Sequence, residues 1–296
     1  MRRWWTAAAV GATAALALAG CGAPGGVDGD LTDDWAAFPA VKTFVPEAGV
    51  CHLTIQDVGY FSGYDPLDCT ASHRAETLHV GTLTGADADR GAPPKAGSTG
   101  IRAAHAECDR EVSKAVGADW RSGRLQLMIV FPSPQGWTGG ARWFRCDLSE
   151  VVSLEDNGTH ERSASLRNAL APGSPLALGC FDPKLDKDDI EEMRPVGCTA
   201  KHKAEFVGVS PFPDITYAEF QRTPKRTHEA CLSVIAKYVK VPDNRDMGYR
   251  SGTIYYSPAE EEWNDGNRGV QCFLWLSDRT LTRSLKGAGS KGLPVR

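Results

Sequence analysis

Short apolar runs alternate with polar loops over most of the chain, a pattern that favours β-strands. In the first part of the chain these runs are residues 49–53, 75–83, 124–131 and 141–148. Between the second and third runs, apolar residues recur at intervals of three and four from Ile101 to Val116. This spacing predicts an amphipathic helix that ends near Gly117.

The second part of the chain shows the same succession. Its strand candidates are residues 178–181, 204–210, 253–256 and 269–276. A helix is predicted to begin at Thr223-Pro224, because proline often follows the N-cap residue of a helix. The order β-β-α-β-β in both parts predicts an α+β fold, with two tandem copies of a small domain. Each copy is expected to be mainly antiparallel sheet with one covering helix.

A repeated octapeptide supports the duplication. CTASHRAE stands at residues 69–76 and CTAKHKAE at residues 198–205, so the copies begin 129 residues apart (198 minus 69). Such a period is too long for a solenoid, and we interpret it as one domain duplicated. The predicted boundaries are a first repeat at 49–150, a linker at 151–178, a second repeat at 179–279 and a basic, glycine-rich, disordered tail at 280–296.

Residues 1–20 have the pattern of a secretory signal. Two arginines precede an uncharged apolar stretch, residues 4–17, and LAGC at residues 18–21 resembles a bacterial lipobox. The resemblance implies cleavage before Cys21 and a lipid anchor on Cys21, on the extracytoplasmic face of the cell membrane. The segment 21–48 is rich in glycine, proline, alanine and aspartate, and this composition predicts a flexible tether. The alternatives are an ordinary signal peptide and an uncleaved anchor. The apolar stretch falls short of the roughly 20 residues that a membrane span needs.

Eight of the nine cysteines remain once Cys21 carries the lipid, four in each repeat. An even number outside the membrane indicates disulfides, and the absence of C-x-x-C argues against a structural zinc site. We therefore predict no metal and no cofactor. Four cysteines allow three pairings in each repeat. The equal separation of 18 residues favours bonds between neighbouring strands, and a helical cysteine needs a strand partner. The preferred pairs are Cys51–Cys69, Cys108–Cys146, Cys180–Cys198 and Cys231–Cys272.

The composition is that of a folded, mildly acidic protein. Apolar residues make up 42% and charged residues 24% of the chain, and the net charge is −4. A protein of this charge has no electrostatic reason to bind nucleic acid.

The cysteine pattern is part of a longer one that occurs twice: G-x-C, then C-x-x-x-H-x-x-E, a helix with a third cysteine, and W-x-x-G-x-R-x-x-x-C. This pattern resembles the septum-formation domain family over residues 49–148 and 179–276. In that family a proline usually precedes the histidine, where this chain has Ser72 and Lys201. The resemblance implies a secreted or lipid-anchored envelope protein of actinobacteria, linked by the family's name to cell division. It implies no catalytic residue.

His73 with Glu76, and His202 with Glu205, are the candidate catalytic pairs. A histidine and a glutamate form a general acid/base pair or offer two metal ligands. In an extended segment, however, residues three apart point to opposite faces, so we expect neither pair to converge. The sequences H-E-x-x-H and G-x-S-x-G are both absent from the chain. We therefore favour a structural role for all four residues.

Two further repeated features have alternative interpretations. His105 and His228 precede the helical cysteines by one turn, and they would complete a zinc site if they approached the octapeptide histidines. We favour core histidines. The loop residues Trp137 and Trp263 are either exposed anchors for a partner or packed on the disulfides. We favour packing, with Arg142 and Arg268 each paired to an acid.

The function predicted from the sequence is that of a non-enzymatic, lipid-anchored envelope protein, with a duplicated extracytoplasmic binding domain connected to septum formation. Its expected partners are the membrane, through the lipid, and an unidentified envelope protein or cell-wall component. The alternative is a secreted hydrolase or metal-dependent enzyme that uses the His/Glu pairs of the octapeptides.

Overall fold

Two five-stranded sheets, each covered by one long helix, make up the structure. It is a computed structural model that describes residues 43–187 and 189–295. The predicted signal peptide, Cys21 and the tether as far as residue 42 lie outside the described residues. We call residues 43–178 the first half and residues 179–295 the second half, and both halves belong to one compact unit.

The bounds of the helices and strands follow the predicted order, with several additions. The first half contains β1 (Val50–His52), β2 (Val58–Gly59), β3 (Ala75–Thr82), α1 (Thr99–Val116), β4 (Leu125–Pro132), α2 (Pro134–Thr138) and β5 (Trp143–Glu150). The second half contains β6 (Cys180–Asp186), β7 (Asp189–Val196), β8 (Ala204–Pro211), α3 (Tyr217–Gln221), α4 (Pro224–Val239), β9 (Gly252–Tyr256), α5 (Glu260–Asp265), β10 (Gly269–Trp275) and α6 (Gly289–Gly292).

Four strands of each sheet follow one another in an equivalent order. The order is β1-β3-β5-β4 in the first half and β6-β8-β10-β9 in the second. The fifth strand differs, since β2 lies beside β4 while β7 lies beside β6. Among the paired strands of the described residues, β2 and β4 are parallel and the others are antiparallel. The predicted α+β class, with mainly antiparallel sheet, is confirmed.

The covering helices are fixed at both ends and through their buried faces. Helix α1 begins where the Ser98 side chain accepts a hydrogen bond from the Ile101 amide, and it ends at Gly117, whose φ is 91°. Its apolar stripe faces the sheet because its residues recur every three or four positions. The pair Cys108–Cys146 then ties α1 to the central strand β5, with Cα atoms 5.4 Å apart.

All four predicted disulfides are present, so the preferred pairing is confirmed. In the second half Cys231 of α4 is bonded to Cys272 of β10, which repeats the helix-to-strand link. The two bonds with a separation of 18 residues join the first strand of each half, β1 or β6, to the loop that precedes β3 or β8. On the loop-entropy model each bond stabilises the fold by roughly 3–4 kcal/mol.

Strand β7 is absent from the elements predicted from sequence. Its sequence, DIEEMRPV, is mostly charged and exposed, and Met193 is the residue that it buries. The strand forms because its backbone pairs with β6 across a tight hairpin. Its sequence contains no apolar run that would predict a strand. A charged outer strand of this kind also protects a sheet edge from unwanted pairing.

Two segments predicted to be a linker and a disordered tail are instead folded. Leu166, from residues 151–178, is fully buried in the core of the first half. From residues 280–295, Leu285 is 3% exposed and Leu293 is fully buried in the core of the second half. The prediction of a disordered tail was wrong because Leu285 and Leu293 stand singly among glycine, serine and lysine, and give no periodic pattern. Glycine allows the turns that place them, as at Gly287 with a φ of 69°.

We expect Leu285→Ala to lower the free energy of unfolding by about 2–5 kcal/mol, because it empties a packed site in the core. The matched control is Val295→Ala, since Val295 lies in the same tail and is 46% exposed. Urea unfolding of both variants measures the difference. Equal stabilities would contradict the docked tail.

Candidate functional site

Each octapeptide is bridged to the segment that follows the last strand of its half. The backbones of His73 and Arg162 exchange hydrogen bonds of 2.8 and 2.9 Å. The backbones of His202 and Leu281 exchange bonds of 3.0 and 2.8 Å. The two octapeptides therefore hold the segments that were predicted to be the linker and the tail.

The octapeptide glutamates hold the same segments a second time. Glu76 accepts hydrogen bonds from the Ser165 hydroxyl at 2.8 Å and the Leu166 amide at 2.5 Å. Both carboxylates are buried, at 1% and 0% exposure for Glu76 and Glu205.

Glu205 repeats this arrangement with one additional partner. It accepts bonds from the Ser284 hydroxyl at 2.8 Å and the Leu285 amide at 2.9 Å. The Tyr238 hydroxyl of α4 is also bonded to this carboxylate, at 3.0 Å. Burial, above all, raises the pKa of Tyr238 to about 12. A buried carboxylate surrounded by donors in this way serves as a fastening between helix, strand and tail.

The second octapeptide contradicts the expectation that its histidine and glutamate stay apart. His202 Nε2 lies 3.2 Å from Glu205 Oε1. The chain bends at Lys203 before β8 begins, as it does at Arg74 in the first octapeptide, so neither segment is extended throughout. His202 Nδ1 donates to the carbonyl of Ala200, so a bond to Glu205 requires a second proton, on Nε2 or on the carboxyl.

The first octapeptide keeps its histidine and glutamate apart, as expected. His73 Nδ1 bonds to the carbonyl of Ala71 at 2.8 Å, while Nε2 is buried and has no hydrogen-bond partner among the described atoms. His73 and His202 are both fully buried. A substrate would reach neither histidine unless the bridged segment moved away.

The cysteines beside the octapeptides do not supply metal ligands in this structure. Ligand atoms of Cys180, His202 and Glu205 lie within 4.8 Å of one another, as do those of Cys51, Cys69 and His73. All three cysteines are in disulfides, and metals bind the thiolate. Among the described residues, neither group contains His105 or His228. His228 Nδ1 is bonded to the Thr253 hydroxyl at 2.7 Å instead.

The loop tryptophans are packed inside the protein. Trp137 and Trp263 are 1% and 0% exposed, and each shares a core with the helix-to-strand disulfide of its half. The guanidinium carbons of Arg142 and Arg268 lie 4.2 and 4.7 Å from the centres of these rings. Arg268 pairs with Asp214 at 2.8 Å, as the sequence analysis expected of both arginines. Arg142 does not follow that expectation, since it donates to main-chain carbonyls.

A buried polar network in the first half was missed by the sequence analysis. His52 Nε2 bonds to the Thr77 hydroxyl at 2.9 Å, and that hydroxyl donates to Asp147 at 2.7 Å. Asp147 also accepts from Arg145 at 2.9 Å, and Arg145 donates to Gln56 at 2.7 Å. Burial raises the pKa of Asp147, and the neighbouring arginine acts in the opposite direction.

Phenylalanines occupy the matching face of the second sheet. Phe181 and Phe206 pack against Phe273, with ring centres 5.5 and 5.4 Å apart. Phe181 and Phe206 follow His52 and Thr77 by the period of 129 residues. Aligning the two halves position by position would have revealed this difference between polar and aromatic residues.

The two halves meet around Arg121. Its Nε donates to Asn267 of the second half at 2.7 Å, and its Nη1 donates to Asp109 of α1 at 2.6 Å. Gln271 of β10 donates to the Arg121 carbonyl at 2.7 Å. The guanidinium lies against Gly269, where a β-carbon would come closer than 3.0 Å to it.

A cleft opens beside this contact. We call it the inter-half cleft, and it consists of two adjoining cavities of about 260 and 440 Å³. Both cavities touch Trp120, Gln126, Asn157, Ala259, Glu262 and Asn267. The larger one has an apolar wall formed by Ile101, Leu127, Met128, Ile129 and Phe131. Its polar wall carries Asp57, Glu261, Glu262 and Asp265, and none of its lining residues is lysine or arginine.

His105 belongs to this cleft and to neither octapeptide. It is 8% exposed, lines the larger cavity and makes no hydrogen bond among the described residues. Burial, followed by the charge of Arg121, lowers the pKa of His105 to about 4. The ring is therefore neutral at physiological pH, and it offers the cavity either a donor or an acceptor.

A family model described as "Septum formation" matches residues 48–272, which include the octapeptides, the disulfides and most of the cleft. The chain belongs to this septum-formation family. In the same comparisons, no curated protein and no solved structure matched the chain.

Membership in the septum-formation family suggests a protein of the cell envelope. Within the described residues, no helix is both long enough and apolar enough to cross a membrane.

The buried histidines predict how stability depends on pH. Burial lowers the pKa of His52 to about 4, as it does for His105, from 6.5. Between these values the unfolded chain binds more protons than the folded one, so stability should fall as the pH is lowered from about 6.5 toward 4. The variant His52→Gln/His105→Gln should lose less stability than the wild type between pH 7 and 5.

Urea unfolding at pH 7, 6 and 5 measures this difference. The control is Ser149→Ala, because Ser149 is fully buried and its side chain does not titrate in this range, so its loss of stability should equal that of the wild type. If the double variant and the wild type lose equal stability over this range, the assignment is wrong.

Proposed function

We propose that this chain is a non-enzymatic, lipid-anchored protein of the extracytoplasmic membrane face that binds an envelope partner in the inter-half cleft. The observation that carries the proposal is the cleft itself. It is the size of a ligand site, and it has an apolar wall, an acidic wall and an unpaired buried histidine. Membership in the septum-formation family supports a connection to cell division.

The proposal treats the two halves as tandem copies of one domain. Three features support this interpretation: the common strand order, the repeated disulfides, and the glutamates that hold a serine and a leucine downstream. In this view duplication created the cleft, because the cleft needs a wall from each copy.

A non-enzymatic role is supported by the state of the candidate catalytic groups. His202 and Glu205 are fully buried, and both are used to fasten the tail. One observation favours the alternative, a hydrolase or metal-dependent enzyme: their 3.2 Å contact. That reaction would require the tail to leave, which would also expose Leu285.

We expect Cys21→Ala to leave the membrane fraction or to keep its signal peptide, because the lipid is attached through the thiol of Cys21. Gly22→Ala is the control, since it changes the neighbouring residue and keeps the thiol. Fractionation of cells and the mass of the mature protein measure the outcome. A variant that is processed normally and stays in the membrane would refute lipid anchoring.

Site-specific photo-crosslinking in living cells tests the cleft. A photoreactive residue at Met128 lies in the larger cavity, whereas one at Leu185, which is 45% exposed on β6, lies on the surface elsewhere. We expect an adduct of defined mass from position 128 and none of that mass from position 185. No adduct at 128, or the same adducts at both positions, would contradict a partner in the cleft.

A further inference from the structure

One edge of strand β4 has no partner strand along most of its length. Strand β5 pairs with β4 from Leu125 to Val130, but β2 reaches β4 only at Phe131 and Pro132. Within the described chain, no other strand pairs with the outer side of residues 125–130. Unpaired edges are a liability that proteins usually cover or shorten.

The hydrogen bonds of the sheet show which residues face outward. The Val151 amide donates to the Arg124 carbonyl, and the Leu83 amide donates to the Arg142 carbonyl. In an antiparallel ladder the residues that bond to a given neighbour alternate along the strand. The even-numbered residues of β5 therefore bond to β3, and its odd-numbered residues bond to β4. Since Arg145 stands opposite Val130, the even-numbered residues of β4 are those that bond to β5. The odd-numbered residues Leu125, Leu127 and Ile129 therefore direct their N–H and C=O groups away from the sheet. Among the described residues, these groups have no hydrogen-bond partner.

This open edge lies inside the inter-half cleft. Residues 127–129 line the larger cavity and residues 124–126 line the smaller one. Consecutive strand residues line a cavity together when the cavity meets the edge of the strand, since side chains alternate between the faces. The unpaired N–H and C=O groups of β4 therefore face the cleft at the spacing that an extended segment needs in order to pair with them.

The charges of the cleft select the kind of segment. Four carboxylates line the larger cavity, and no cation does. Two arginines, Arg121 and Arg124, line the smaller cavity, and each is already paired with a carboxylate of the first half. Burial and the charge of Glu261 together raise the pKa of Asp265, whose carboxylate is otherwise bonded to the Gly97 amide. Asp57 and Glu261 are exposed, and no ion pair joins either to another described residue. A positive charge would be attracted to all four carboxylates.

The chain's own N-terminal segment has the wrong charge for this site. Residues 22–42 contain four aspartates and one lysine, so their net charge is −3. The neutral ring of His105, buried and without a hydrogen bond, adds a polar contact that the described chain leaves unused.

We propose that the inter-half cleft binds an extended, basic segment of another protein as an added strand on the outer edge of β4. Backbone bonds to Leu125, Leu127 and Ile129 hold the segment. One lysine or arginine side chain lies along Ile101 and Phe131 and places its charge among Asp57, Glu261 and Asp265. Recognition by strand addition takes its affinity from the backbone and its specificity from such side-chain pockets. This inference rests on the proposed function, since it names the partner's chemistry at the same cleft.

Peptide binding to the full-length protein in mild detergent tests the inference. The probes are fluorescent hexapeptides of alternating threonine and valine, with lysine placed at each position in turn. Two control sets carry norleucine or glutamate in place of lysine. We expect saturable binding for at least one lysine peptide, about tenfold weaker binding for its norleucine counterpart, and no detectable binding for glutamate. If no lysine peptide binds, or if norleucine binds equally well, the proposal fails.

Two pairs of variants separate the charge from the strand edge. Asp57→Asn/Glu261→Gln should weaken binding of the lysine peptide by about fivefold. The control Asp65→Asn/Glu260→Gln removes two exposed acids that do not line the cleft, and should leave binding unchanged. Leu127→Pro removes an outward N–H and should abolish binding, while Leu127→Thr keeps that N–H and should retain it.

The melting temperature of each variant shows whether it is folded. Binding that survives in folded Leu127→Pro would overturn strand addition. If Leu127→Pro does not fold, a lysine peptide N-methylated at alternate residues gives the same information from the ligand side. Failure of every peptide together with a specific adduct at position 128 would leave the cleft as a binding site and refute only the inferred chemistry.

Discussion

A carboxylate that is buried beside a disulfide ties the sheet of each half to a distant segment of the chain. Glu76 and Glu205 would carry a large desolvation cost if they lacked donors, and each finds its donors in a serine and a leucine amide far along the chain. The sheet, the helix and the closing segment are therefore interdependent. Removing the closing segment would leave a charge inside the protein without compensation.

This dependence explains what could be predicted from the sequence and what could not. Helix α1 and most of the central strands follow from local periodicity, and the equal spacing of 18 residues favours the bonds Cys51–Cys69 and Cys180–Cys198. The fastening of Ser284 and Leu285 to Glu205 spans about 80 residues, so no local window contains it. Its trace in the sequence is a serine-leucine pair at 165–166 and again at 284–285.

The candidate site was harder still to predict, because it belongs to neither half alone. His105 lies on the apolar stripe of its helix, and this position predicts that the side chain is buried. It does not predict that residues of the second half complete the cavity around it. The acids of the cleft come from a loop of the first half and from helix α5 of the second. Likewise Phe181 and Phe206 stand in the second half where the first half has His52 and Thr77, so two sheets with one strand order have buried faces of different chemistry.

Gly269 has a consequence for evolution that reaches beyond its own strand. The Arg121 guanidinium lies where a side chain at this position would stand, and Val209 of the neighbouring strand closes the other side. Any larger residue there would act as a wedge between the halves. Because those halves also form the cleft, a side chain at position 269 would change the width of the cleft as well. Gly269 itself lines the smaller cavity, so the absence of a side chain at this position fixes the spacing of the two halves and also forms part of the wall of the cleft.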